Sequence, residues 1–112
     1  MKDAASQLYS IGKGTIQIDK NQPHVVKYSG QHQGVELHHD KCDITMNVML
    51  SRSSEYQGGG TYFRDANRNV RLGFGEFLLH PGDAIHAGSN ISGGTRFLMV
   101  IFANSSARIK LC

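Results

Sequence analysis

Clusters of turn-forming residues interrupt this chain roughly every eight to twelve residues, and that rhythm leaves no room for long helices. SGQHQG, QGGG, DANRN, HPGD and NISGG separate short apolar or β-branched runs. Their Gly, Asn and Asp supply the positive φ angles of tight turns. The runs between them predict strands at Thr15 to Asp19, His24 to Tyr28, Val35 to Asp40, Ile44 to Leu50, Thr61 to Arg64, Val70 to Leu72, Glu76 to Leu79, Ala84 to Ala87 and Arg96 to Phe102. No segment carries a helical apolar period, and only the opening DAASQLYS could supply a turn or two of helix. Strands without helices must bury one another, so the expected fold is all-β, a jelly roll of about eight strands in two facing sheets.

The remaining composition excludes several classes of partner. The formal net charge is +3, but the 12 Lys and Arg are scattered from Lys2 to Lys110. Without a basic stripe, nucleic acid is not an expected partner. MKDAASQLYS lacks the apolar stretch of a signal peptide, and no run is apolar for the length that spans a bilayer. A chain in the cytoplasm, away from membranes, is the default expectation. Cys42 and Cys112 make neither a disulfide framework nor a CxxC pair, so reduced thiols are expected.

The chemistry gathers at two places. In VELHHD, side chains two apart on a strand share a face, so His38 and Asp40 project together while His39 points away. Much later, DAIHAG offers His86 on another short strand, which a facing sheet can bring opposite the first. Two imidazoles and one carboxylate are the donor set of the facial triad of non-haem Fe(II) oxygenases, which leaves coordination positions open for other ligands. Ten residues past His86, GGTR sets Arg96 at the start of the apolar strand RFLMVIF. A guanidinium pointing into a core needs an anionic partner. Its planar fork suits a carboxylate, such as the distal carboxylate of 2-oxoglutarate. A bare His-x-Asp is common by chance; its combination with a distant His and an Arg on a buried strand is not.

These residues carry a family resemblance. LHHD at Leu37 to Asp40, TMNVML at Thr45 to Leu50, YQGGGTYF at Tyr56 to Phe63, HPG at His80 to Gly82, and HAG with GGTRF resemble the catalytic domain of the 2-oxoglutarate-dependent prolyl and lysyl hydroxylases. The closest likeness is to the procollagen lysyl hydroxylases. The resemblance implies a double-stranded β-helix of cupin-like form, here with minimal N-terminal helical support. It implies a single Fe(II)/2-oxoglutarate dioxygenase domain over 1–112, with an N-terminal extension at 1–22 and a catalytic core at 23–104. It places the metal ligands at His38, Asp40 and His86 and the 2-oxoglutarate anchor at Arg96. Tyr28, ten residues before His38, matches a tyrosine that bonds the co-substrate in the wider group, and Asn47 matches a pocket position. Several prolyl hydroxylases carry a second Tyr where this chain has Met49.

Fe(II), 2-oxoglutarate and O2 are therefore the implied cofactors and co-substrates, with ascorbate to sustain turnover. The implied substrate is a peptide or protein, hydroxylated on Lys or Pro with release of succinate and CO2. Two alternatives stay open: a cupin-type metalloenzyme that does without 2-oxoglutarate, and a catalytically silent jelly-roll binding module. His80, beside Pro81 and Gly82, reads as a turn residue, and Gly58 to Gly60 read as punctuation before a strand. Strand alternation also predicts that Ile44, Met46, Val48, Leu50, Phe97, Met99 and Ile101 point out of the sheet that carries Asn47 and Arg96. Such an apolar face suggests a homo-oligomer or a part of a longer polypeptide.

Overall fold

The computed structural model describes residues 16–20 and 22–105. The DAASQLYS stretch and Cys112 lie outside the described residues. Eleven strands follow in order: β1 (Ile16–Ile18), β2 (His24–Tyr28), β3 (Val35–His38), β4 (Ile44–Met49), β5 (Tyr56–Gly58), β6 (Thr61–Phe63), β7 (Arg68–Val70), β8 (Phe77–Pro81), β9 (His86–Gly88), β10 (Ile91–Gly94) and β11 (Arg96–Ser105). A single 3₁₀ turn at Ser53–Glu55 is the helical element among the described residues. No helix there is long and apolar enough to cross a membrane.

The larger sheet runs β1-β11-β4-β8, with β2 pairing the same edge of β11 further along. The smaller sheet runs β3-β9-β6-β7, and β5 pairs β10 in a two-stranded ribbon. All pairings are antiparallel. This is the expected jelly roll. Its core joins Tyr28, Met49, Leu98 and Val100 of the larger sheet to Tyr56 and Ile91 of the ribbon.

The register explains which side chains meet. Tyr28 lies opposite Arg96, Val26 opposite Leu98, and Asn47 opposite Val100. Since directly opposed residues share a face, Arg96, Asn47 and Tyr28 all point inward together. On the smaller sheet His38 lies opposite His86, and His86 opposite Phe63.

Several boundaries differ from the sequence expectation. QGGG and NISGG were expected to be turns only, yet Tyr56–Gly58 and Ile91–Gly94 pair as strands. Backbone pairing needs no side chain, so a glycine-rich strand carries no apolar signal. Gly94 must be glycine there: its φ is +79°, and a Cβ would lie 2.2 Å from the Glu55 carbonyl oxygen. β8 runs through His80 and Pro81 instead of ending before them, and β7 lies two residues earlier than Val70 to Leu72. β3 ends at His38, so Asp40 sits just past the strand.

The outward face behaves in part as expected. Leu50 and Phe97 are exposed and Val48 and Met99 half-buried, but Ile44, Met46 and Ile101 are buried. Ile44 packs with Ile16 and Ala103, and Leu79 closes against them, in a small second core. The chain thus covers part of this face itself.

The HPG turn clamps the loop that carries Asp40. Asp40 donates its backbone N–H to the Gly82 carbonyl at 2.8 Å, and Gly82 donates to the Asp43 carbonyl at 3.0 Å. A Cβ on Gly82 would lie 1.9 Å from the Cys42 carbonyl oxygen. Backbone cannot give way as a flexible side chain can. Gly82→Ala should therefore destabilise the protein by more than the ~1 kcal/mol of an average substitution, measured by urea unfolding. An unchanged midpoint would show that the loop relaxes freely.

Candidate metal centre and carboxylate pocket

His38, Asp40 and His86 converge, with Asp40 brought in by the loop after β3: one ligand atom from each lies within 4.8 Å of the others. Asp40 stands between the imidazoles, with Oδ1 3.4 Å from His38 Nε2 and Oδ2 3.3 Å from His86 Nε2. His38 Nδ1 lies 2.7 Å from the Glu36 carbonyl oxygen, and His86 Nδ1 2.7 Å from that of Ala84. A carbonyl oxygen only accepts, so both Nδ1 atoms carry hydrogen, and in the neutral rings both Nε2 lone pairs face the carboxylate. That is the arrangement of a metal site whose ligands are oriented by their outer partners. His39 is exposed, as expected.

The electrostatics agree. Burial opposes ionisation of Asp40, but hydrogen bonds from His86 and Thr45 and the nearby imidazole charge outweigh it and hold the carboxyl below its ordinary range. Burial likewise acts to strip a proton from His86, and the Asp40 carboxylate and Ala84 carbonyl more than offset it.

Across the barrel, Arg96 is 1% exposed, the most completely buried charge in the described chain. Its Cζ lies 5.0 Å from the Tyr28 ring centroid, and its Nε and Nη1 have no hydrogen-bond partner. Burial lowers its pKa against the opposing influence of Tyr28 and Tyr56. A cavity of about 110 Å³ opens between the sheets, lined by His38, Asp40, Thr45, Asn47, His86 and Tyr28 among others. Tyr28 joins the two regions, since it lines the cavity and packs on Arg96.

No protein-family model matches the chain. Individual proteins do. The whole chain aligns with 35% of the length of "2-oxoglutarate and iron-dependent oxygenase domain-containing protein 2" of Danio rerio at 31% identity. A segment covering 70% of the chain aligns with 12% of procollagen-lysine,2-oxoglutarate 5-dioxygenase of Drosophila melanogaster at 35% identity. A PKHD-type hydroxylase of Acinetobacter baumannii matches 61% of the chain at 31% identity. The chain is a homologue of 2-oxoglutarate and iron-dependent oxygenases. It spans about a third of the length of the first of these relatives. Among solved structures, a cupin-2 domain containing protein from Shewanella frigidimarina superposes with a TM-score of 0.53 at 18% identity over 95% of this chain and 90% of its own. A cupin superfamily protein from Desulfitobacterium hafniense does so at 0.51 and 14% identity, over 81% and 77%. These two establish the fold alone.

The site of this oxygenase homologue fits both groups that its relatives' names imply. Two imidazole nitrogens and a carboxylate oxygen suit a divalent iron, and the unpartnered Arg96 donors suit a carboxylate.

Two residues beside the metal cluster, Thr45 and His80, escaped the sequence reading. Thr45, 1% exposed, donates its hydroxyl to Asp40 Oδ2 at 2.7 Å and orients the carboxylate. Cys42 Sγ lies 3.3 Å from the same hydroxyl, and burial pushes its thiol pKa up, so it packs as a neutral group. His80, expected in a turn, is an inward-facing residue of β8 opposite Thr45, 4% exposed, with its ring 4.5 Å from that of His86. Its Nδ1 donates to the Pro81 carbonyl at 2.8 Å, and burial lowers its pKa. The proline and glycine that follow masked it.

Thr45→Val keeps the shape of the side chain and removes the hydroxyl. Outer partners of this kind alter metal affinity by about 10- to 100-fold, and anaerobic Fe(II) titration of the variant should show a loss in that range. Equal affinity in a folded variant would show the Asp40 orientation to be independent of Thr45.

Proposed function

We propose that this chain carries an Fe(II) oxygenase site that uses 2-oxoglutarate as co-substrate and hydroxylates a C–H bond of a peptidyl Lys or Pro. The observation that carries the reading is the presence in one barrel of two features: a two-imidazole, one-carboxylate cluster at a small cavity, and a fully buried arginine with unpartnered donors packed on Tyr28 of that cavity's wall. His38, Asp40 and His86 would hold the iron. Arg96 would take the distal carboxylate of 2-oxoglutarate, with Tyr28 and Asn47 bounding the space between. Bound together, iron and co-substrate supply the oxidising power, one atom of O2 going to succinate, formed with CO2, and the other to the substrate.

The protein's own part is orientation and exclusion. The Glu36 and Ala84 carbonyls fix the imidazole tautomers, Thr45 fixes the carboxylate, and the burial of Asp40, His86 and Arg96 keeps bulk water from competing for them. A peptide substrate is supported by the sheet order. Among the described residues β3 lies at the edge of its sheet, a position where an extended chain can pair beside the cavity. An open polar groove runs along this edge from Gly30 to Glu36, sharing Val35 and Gly88 with the cavity wall.

Incubation of a peptide panel with protein, Fe(II), 2-oxoglutarate, O2 and ascorbate tests the reading by mass spectrometry. Addition of one oxygen atom to a Lys or Pro, with matching succinate, is the expected result. Turnover that persists without 2-oxoglutarate would favour the cupin-type metalloenzyme, and no succinate with any peptide would favour a silent binding module.

A further inference from the structure

Tyr56 opens β5 opposite Gly94 of β10, two residues before Arg96 in the chain. That pairing brings the two side chains together: a Cβ on Gly59 would lie 3.3 Å from Tyr56 Cε2 and 3.4 Å from Arg96 Cδ. Gly59 has a φ of +76°, so the space both side chains occupy is kept free by a residue that favours glycine. Tyr56 is 2% exposed, and its hydroxyl has no hydrogen-bond partner. Its ring lies against the Arg71 guanidinium, 4.5 Å from the centroid, which donates to the Tyr56 and Gly58 carbonyls.

A buried tyrosine usually finds a partner for its hydroxyl, and a phenylalanine would fill the same volume without that requirement. Here the unsatisfied atoms share a chemistry. Arg96 Nε and Nη1 can only donate, and Tyr56 Oη carries a hydroxyl hydrogen with nothing to receive it. Unpartnered donors on two neighbouring side chains suit an anion with more than one oxygen.

We propose that Tyr56 is a co-substrate-positioning residue, its hydroxyl sharing with Arg96 the distal carboxylate of bound 2-oxoglutarate. The proposal rests on the oxygenase reading above.

The test compares two ligands on the full chain, loaded anaerobically with Fe(II) and titrated calorimetrically. 2-Oxoglutarate has the distal carboxylate; 2-oxobutyrate has the same 2-oxo acid head without it. Tyr56→Phe should weaken 2-oxoglutarate binding roughly tenfold, as loss of a hydrogen bond to a charged group does, and leave 2-oxobutyrate binding unchanged. Its melting temperature without ligand should equal or exceed that of the wild type. An unchanged 2-oxoglutarate affinity, or an equal loss for both ligands, would overturn the role of Tyr56. Failure of the wild type to bind 2-oxoglutarate would instead overturn the oxygenase reading. Should Tyr56→Phe fold poorly, 3-fluorotyrosine at position 56 gives a second measurement. Its fluorine resonance should shift with 2-oxoglutarate and not with 2-oxobutyrate, and a resonance indifferent to both would overturn the proposal.

Discussion

Arg96→Met should make the ligand-free protein more stable and the ligand-binding protein blind to 2-oxoglutarate. The guanidinium is buried at 1% exposure, no carboxylate of the described residues pairs with it, and two of its nitrogens lack any partner. An uncompensated buried charge is among the costliest features a core can hold. Replacement of buried ionic groups by apolar side chains of similar volume often gains ~1–4 kcal/mol. On a domain of this size each kcal/mol raises the melting temperature by roughly 4–8 °C. Addition of 2-oxoglutarate to the metal-loaded wild type should raise its melting temperature, because a ligand that binds only the native state stabilises it; the methionine variant should not respond. Arg96→Lys separates charge from shape. It keeps the charge but loses the fork, so affinity for 2-oxoglutarate should fall roughly tenfold or more. A methionine variant less stable than the wild type would mean that Arg96 is satisfied in the free protein, and an undiminished affinity in the lysine variant would remove Arg96 from the pocket.

Alanine at His38, Asp40 or His86 should each abolish the stabilisation that Fe(II) confers. A metal that binds only the native state at a hundredfold excess over its Kd adds about 2.7 kcal/mol, readable as a shift between anaerobic melts with and without Fe(II). The wild type, given Fe(II) and 2-oxoglutarate without O2, should also develop a weak visible charge-transfer band that each variant lacks. The three positions act as one unit, so a single removal is expected to cost nearly as much as all three. Retention of the full shift by the triple alanine variant would place the metal elsewhere.

What could be read from sequence here follows from which contacts are local. His38 and Asp40 were paired by the period of two along a strand, and Arg96 was marked by a charge opening an apolar run. His86 followed as the missing third donor. Nothing local marked Thr45 as the partner of Asp40, because the loop between them turns back under the HPG clamp. His80 was hidden by its neighbours, since Pro81 and Gly82 announce a turn while β8 carries the strand through His80 to Pro81. Tyr56 was hidden by the glycines that follow it. A ribbon formed by Tyr56–Gly58 and Ile91–Gly94 is held by its backbone, and periodicity measures only side chains. The outward apolar face was read correctly in direction and overstated in extent, because alternation gives orientation and cannot show that Ile16 and Leu79 fold over Ile44.

β11, last of the described strands in chain order, lies in the interior of the larger sheet, with β1 and β2 on one side and β4 on the other. A chain made from its N-terminus therefore completes β1 to β10 while the centre of that sheet is still missing. Until β11 inserts, β2 and β4 present unpaired edges toward one another, and the non-local pairing that joins them is of the kind that slows folding. The His38, Asp40 and His86 side chains are synthesised before the strand that fixes the barrel around them. Maturation of this site during synthesis therefore waits for β11: a nascent chain halted before Arg96 would carry His38, Asp40 and His86 and no finished cavity, and would expose strand edges open to aggregation.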